Sequence, residues 1–92
     1  MAGDKSVLIG KKTVMDYVLA YISLFHAGEN EVLVKARGRA ISRAVDVVEV
    51  TRRRFMPDLK IQTTGIGTDH LAPFQEGGAA SNVSTIEITL TK

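Results

Sequence analysis

Apolar positions change period along the chain, and each change marks the border of an element. Val7, Leu8 and Ile9 form a short apolar run closed by Gly10, the pattern of a buried strand entering a turn. Helical spacing follows: Val14, Val18, Tyr21, Ile22 and Phe25 share one face. Thr13 and Asp16 stand at capping-box spacing in front of it, and Gly28 lies where the pattern fades, so a helix is expected from about Thr13 to Ala27. In Glu31–Arg37, Val32, Val34 and Ala36 alternate with Leu33, Lys35 and Arg37, which is the period of a strand with two unlike faces.

Gly38 breaks that strand. From about Ala40 to Phe55, Ile41, Ala44, Val45, Val48 and Phe55 recur at helical spacing, and Pro57-Asp58 ends the run. Leu59, Ile61 and Thr63 alternate next, as do Ile86, Ile88 and Leu90 against Thr85, Glu87, Thr89 and Thr91, giving two more strands. Between them, Thr68 to Asn82 holds Pro73, Gly77, Gly78 and small residues, the composition of a long mobile hairpin tip. The order β-α-β-α-β-β predicts an α/β two-layer sandwich, a four-stranded mixed sheet with two helices on one face, in a single domain spanning 1–92.

Composition changes this picture only at its edges. Ninety-two residues lie near the lower limit for burying a core alone, so a second copy of the chain is a reasonable expectation. Apolar residues at 45% exclude a disordered chain, and the absence of cysteine excludes disulfides and thiolate metal sites while suiting a reducing cytoplasm. No apolar run approaches the roughly 20 residues of a membrane span, so a soluble, unsecreted protein without membrane contact is expected.

Catalytic patterns are poor. Gly10-Lys11-Lys12-Thr13 sits where a phosphate loop would, but the glycine required five positions earlier is Lys5. His26 and His70 lack a nearby second ligand, and Ser42 lies outside any nucleophile elbow. No enzyme, metal or cofactor is implied.

Charge placement says more than the net charge of +2. Lys35, Arg37, Arg39 and Arg43 fall together without an intervening acid, Lys11 and Lys12 are adjacent, and Arg52, Arg53 and Arg54 form a third cluster. Lys11 and Lys12 follow the first strand and Arg37 and Arg39 straddle the end of the second, so this topology brings both pairs to one sheet edge. Two helix starts at that edge add backbone N–H groups and positive dipole ends, a combination that favours phosphate.

The segments Val7-Leu8-Ile9-Gly10-Lys11-Lys12, Lys35-Ala36-Arg37-Gly38-Arg39-Ala40-Ile41-Ser42-Arg43-Ala44-Val45-Asp46 and Val83-Ser84-Thr85-Ile86-Glu87-Ile88 resemble the signatures of the Alba family of archaeal chromatin proteins. The resemblance implies the fold shared with the C-terminal domain of translation initiation factor three and a symmetric dimer with paired hairpin arms. It implies a central nucleic-acid surface at Lys11, Lys12, Arg37 and Arg39, with Ser42 and Arg43 nearby, and acetylation as a possible modification of Lys11. Sequence-nonspecific coating and compaction of double-stranded DNA is the expected function, with RNA as a further partner, as a homodimer or a heterodimer with a paralogue. The expected location is the cytoplasmic nucleoid. Alternatives are an RNA-binding subunit or chaperone of a ribonucleoprotein, or a domain for a small phosphorylated ligand.

Two features stand apart. The tip from Thr68 to Asn82 carries Asp69 and Glu76 but no Lys or Arg, unlike family arms that reach the minor groove. Phe55, after Arg52-Arg53-Arg54, has two readings: a core residue closing the helical stripe, or, by resemblance, an exposed contact between dimers with those arginines around it.

Overall fold

The computed structural model describes residues 6–71 and 81–92. The element order is β1 (Ser6–Leu8), α1 (Val14–His26), β2 (Glu31–Arg37), α2 (Ala40–Val50), a π-turn (Thr51–Phe55), β3 (Lys60–Leu71) and β4 (Ser81–Thr91). One sheet runs β1-β2-β4-β3. β1 is parallel to β2, while β4 is antiparallel to both β2 and β3. Each helix is therefore a crossover between parallel strands: α1 joins neighbours, and α2 carries the chain past β4 to the far edge. This is the mixed-sheet sandwich that the alternating periods predict.

The core lies between the helices and one face of the sheet. Tyr17, Val18, Tyr21 and Phe25 of α1 are buried together with Val32, Val34 and Ala36 of β2 and Ile88 and Leu90 of β4. The capping box forms as the spacing requires, Thr13 Oγ1 accepting from the Asp16 N–H at 3.3 Å and Asp16 Oδ2 accepting from the Thr13 N–H at 3.2 Å. Beyond α1, Gly28 takes φ 104°, open to glycine at little cost. Inside the core, the Tyr21 hydroxyl donates toward the carbonyls of Val7 at 3.0 Å and Leu33 at 3.3 Å, tying together two adjacent strands.

Helix α2 departs from the expected stripe. Ala44, Val47 and Val48 are buried, followed by Thr51, whereas Val45 is 42% exposed. The small Ala44 sets the contact line, and the run 44, 47, 48, 51 has the spacing of one helical face. After Val50 the helix widens: the Met56 N–H donates to the Thr51 carbonyl at 2.8 Å, five residues back, while Thr51 Oγ1 donates to the Val47 carbonyl at 2.8 Å. That extra residue in the turn rotates Phe55 off the phase of Ile41. Phe55 is consequently 47% exposed, and the core reading of this residue is corrected.

Strand β3 is longer than its alternation predicts. It pairs with β4 from Lys60 opposite Thr91 to Leu71 opposite Ser81, with a bulge between Ile61 and Thr63. Gly65 and Gly67, residues that usually interrupt strands, stand opposite Glu87 and Thr85. The expected tip at 68–82 is thus corrected at both ends: Thr68–Leu71 and Ser81–Asn82 are paired strand, and residues 72–80 lie outside the described residues. The helical cover stops short of this edge. From Lys60 through His70 every residue is exposed, Ile66 at 85%.

Candidate nucleic-acid interface

Between β1 and α1 the chain makes a tight turn that carries the paired lysines. The Ile9 N–H donates to the Lys35 carbonyl at 2.8 Å, one residue beyond β1, and Gly10 then diverges from β2. The Tyr17 hydroxyl accepts from the Gly10 N–H at 2.7 Å and from the Lys12 N–H at 3.2 Å. From the other side, Arg43 Nη1 donates to the Gly10 carbonyl at 2.6 Å. Lys11 and Lys12 are exposed.

The second basic segment leaves β2. Arg37 is its last residue, and Gly38 turns the chain at φ 59°, a conformation strained for any other residue. The Gly38 N–H donates to the Ser84 carbonyl at 2.8 Å, so β4 fixes the turn, and Arg39 occupies the N-cap of α2. The two helix starts at this edge differ. That of α1 is closed by a carboxylate in its capping box, whereas that of α2 has no side-chain cap and no acid in its first turn. The start of α2 is the better match to an anion.

The two segments meet. Lys11, Arg37, Arg39 and Arg43 line one open cleft of about 450 Å³, and no acid is among its described lining residues. Lys12 and Ser42 are exposed but do not line it. Arg43 reaches the cleft while held to the Gly10 carbonyl, a structural bond absent from the sequence-based expectation. A larger hollow on the helix-free face of the sheet contrasts with this cleft. There Lys35 lies 3.6 Å from Glu87, and Arg37 lies 3.9 Å from Asp69, so its cations are matched by acids.

Sequence reasoning missed Tyr17 and Asp69. Tyr17 carried a usable signal: side chains on a helix lean toward its N-terminus, so a tyrosine one turn into α1 can reach the loop ahead of it. Asp69 meets Arg37 only through the strand register across β4, which spacing alone does not fix.

The third basic cluster lies away from the cleft. Arg52 Nη1 is 3.1 Å and Arg53 Nε 3.0 Å from the Glu49 carboxylate, and Arg52 Nε also donates to the Leu59 carbonyl at 3.1 Å. The hydrogen bond from Arg53, helped by the charges of both arginines and the Arg52 bond, holds the Glu49 carboxyl below the usual range against an opposing effect of desolvation. Two of the three arginines are therefore partly neutralised. Phe55 and Arg54 are exposed beside them. Among the described residues no group of three or more His, Asp or Glu side chains could hold a metal ion, and no helix is long and apolar enough to cross a membrane. His26 is exposed at the end of α1, and His70 Nδ1 lies 2.5 Å from Asn82 Oδ1 across the arm strands.

Residues 5–68 match the family model named Alba. The DNA/RNA-binding protein Alba of Methanococcus maripaludis is 54% identical over 90 residues, covering 97% of this chain and 99% of that protein. DNA/RNA-binding protein Alba 1 of Archaeoglobus fulgidus is 52% identical over 89 residues, with 97% of both chains covered. Among solved structures, Alba from Thermoplasma volcanium superposes with a TM-score of 0.86 at 46% identity, covering 95% of this chain and 99% of that one. These relatives carry the names of binding proteins, not of enzymes. Matched over nearly its whole length in sequence and in fold, the chain belongs to the Alba family.

Proposed function

We propose that this protein binds nucleic acid through backbone phosphates, coating and compacting double-stranded DNA as a twofold dimer without sequence preference, and that it also binds RNA. The carrying observation is the cleft, with no acid in its described lining, in which Lys11, Arg37, Arg39 and Arg43 converge beside the uncapped start of α2, Arg37 alone of the four also facing an acid, Asp69. Arginine forks and a helix N-terminus both match phosphate oxygens, and such contacts carry little sequence information. Relatives named DNA/RNA-binding proteins support the same partner class. Lys12 and Ser42, exposed and next in sequence to the cleft residues Lys11 and Arg43, extend the contact surface.

The dimer reading rests on the bare edge. Ile61 and Ile66 of β3 share the register of Leu90 and Ile86 and so point to the helix side of the sheet, yet no helix covers them. With half-buried Ile41 and exposed Val45 of α2 nearby in the fold, they form an apolar surface that a second copy would cover. Pairing doubles Lys11, Lys12, Arg37 and Arg39 and releases correspondingly more condensed counterions. Phe55, with Arg54 beside it, supplies a contact between neighbouring dimers along a duplex, joined there by Arg52 and Arg53, which pair with Glu49. A heterodimer with a paralogue would use the same surface. Acetylation of exposed Lys11 would remove one charge from the cleft and weaken binding. A protein with this partner belongs on the nucleoid.

Competition at fixed salt tests the reading. Duplex DNA and duplex RNA are expected to displace one another, because phosphate contacts alone do not separate them. Free nucleotides are expected to displace neither; displacement at similar concentrations would favour a small phosphorylated ligand instead.

A further inference from the structure

We infer that Tyr17 and Arg43 are positioning residues for the lysine turn, holding the backbone of Gly10–Lys12 in its binding shape rather than acting chiefly through their own contacts with phosphate. This inference rests on the reading of the lysine edge as a phosphate-binding surface.

Three bonds hold the turn, two at Gly10 and one at Lys12. The N–H groups of Gly10 and Lys12 both point at one oxygen, the Tyr17 hydroxyl. The Gly10 carbonyl is taken by Arg43. The turn is thereby tied to α1 on one side and to α2 on the other. The Tyr17 residue is only 8% exposed, so its ring is anchored in the core while its oxygen reaches the surface loop. A side chain at position 10 would bring its Cβ to 3.3 Å from that oxygen, close enough that the hydroxyl would have to shift by a few tenths of an ångström and strain its two bonds.

The consequence is preorganisation. Lys11 and Lys12 lie in an exposed stretch with no partner strand, where an untied backbone would sample many shapes. Tying it fixes where both ammonium groups start from. Arg43 additionally couples the turn to the helix that begins at Arg39, setting the spacing between the two basic segments. A protein whose competent shape is less populated binds more weakly by that fraction, with the same number of phosphate contacts once bound.

Affinity and contact number therefore separate in a salt titration. Duplex affinity is measured against salt for the full chain and for Tyr17→Phe, Arg43→Lys and the Lys11→Ala, Lys12→Ala pair. Amide exchange at Gly10 and Lys12 is followed by NMR in the same proteins. Tyr17→Phe keeps the ring but removes the acceptor; affinity is expected to fall about three- to tenfold with the salt slope unchanged. The Gly10 and Lys12 amides should exchange faster while those of Val18 and Tyr21 hold. Arg43→Lys keeps the charge and loses the planar fork, so it should lower affinity in the same way. Should Tyr17→Phe fail to fold, Arg43→Lys carries the test through amide exchange at Gly10 and Lys12, since losing the fork would weaken a direct phosphate contact as well. Wild-type affinity in the folded variants, unchanged exchange at Gly10 and Lys12, or a drop in affinity with a shallower slope would each overturn the inference. If the lysine pair variant shows reduced affinity and slope while Tyr17→Phe binds as wild type, the phosphate reading stands and positioning falls. If the lysine pair variant itself binds as wild type, the reading of this edge fails, and the inference with it.

Discussion

Asp69 stands 3.9 Å from Arg37, both about half exposed, so in the proposed binding mode it competes with phosphate for one of the cleft cations. Exposed pairs of this kind are weak, so Asp69→Asn is expected to raise duplex affinity about two- to threefold, read by titration at low salt. Unchanged or lower affinity would show that Arg37 is not held back by this acid. Tyr21 presents a different residue-scale consequence. Burial, and secondarily the neighbouring Tyr17, push its hydroxyl well above the ordinary tyrosine value of 10.0, so it stays neutral in the fold while the unfolded chain ionises near that value. The sign follows directly: the contribution is fully present below pH 10.0 and declines as pH rises above it. Tyr21→Phe should lose about 1–2 kcal/mol near neutral pH, and its stability should fall less steeply than that of wild type above about pH 10. Denaturant melts at the two pH values check it. The convergence of Lys11, Arg37 and Arg39 was legible in the sequence because they lie at or just past the ends of two strands whose adjacency is set by topology. Tyr17, Asp69 and the tether from Arg43 were not, since each depends on side-chain reach or strand register rather than on spacing.

At the scale of elements, the π-turn decides what Phe55 does. An uninterrupted α-helix from Ala40 would return position 55 toward the core phase; the wider turn at Thr51–Phe55 places it outside, with Thr51 taking the buried position. Phe55→Ala is therefore expected to change stability by less than about 1 kcal/mol, as for a surface substitution, while fully buried Phe25→Ala should cost about 3–5 kcal/mol. Thermal melting compares the two. Binding of Phe55→Ala to long duplexes should lose cooperativity while binding to short ones is kept; retained cooperativity would remove Phe55 from the contact between dimers. The presence of each strand and helix could be read from period, and the apolar faces of α1, β2 and β4 bury largely as their spacing requires, but β1, expected as a buried strand, is an edge strand whose Leu8 is 63% exposed. The π-turn and the length of β3 could not be read that way. A local i→i+5 bond leaves no mark in the hydrophobic pattern, and Gly65 and Gly67 have no side chain to continue the alternation through the stretch that pairs with β4.

The whole molecule joins two surfaces of opposite character. One is the cationic cleft; the other is the bare apolar edge of β3, where Ile66 is 85% exposed. If the edge is the dimer surface, Ile66→Glu should shift the protein from dimer to monomer in sedimentation and weaken duplex binding by removing half of the cationic groups from each unit. A wild-type protein that sediments as a monomer would contradict this. Affinity that comes from phosphate contacts at Lys11, Lys12, Arg37 and Arg39 must show itself in the salt dependence of duplex binding. For the wild type, log affinity should fall linearly with log salt, along similar lines for unrelated sequences. With Lys11→Ala and Lys12→Ala the slope should become shallower by about 0.9 for every phosphate that each protomer no longer neutralises. An unchanged slope and affinity in that variant, or lines that separate strongly with sequence, would contradict the account.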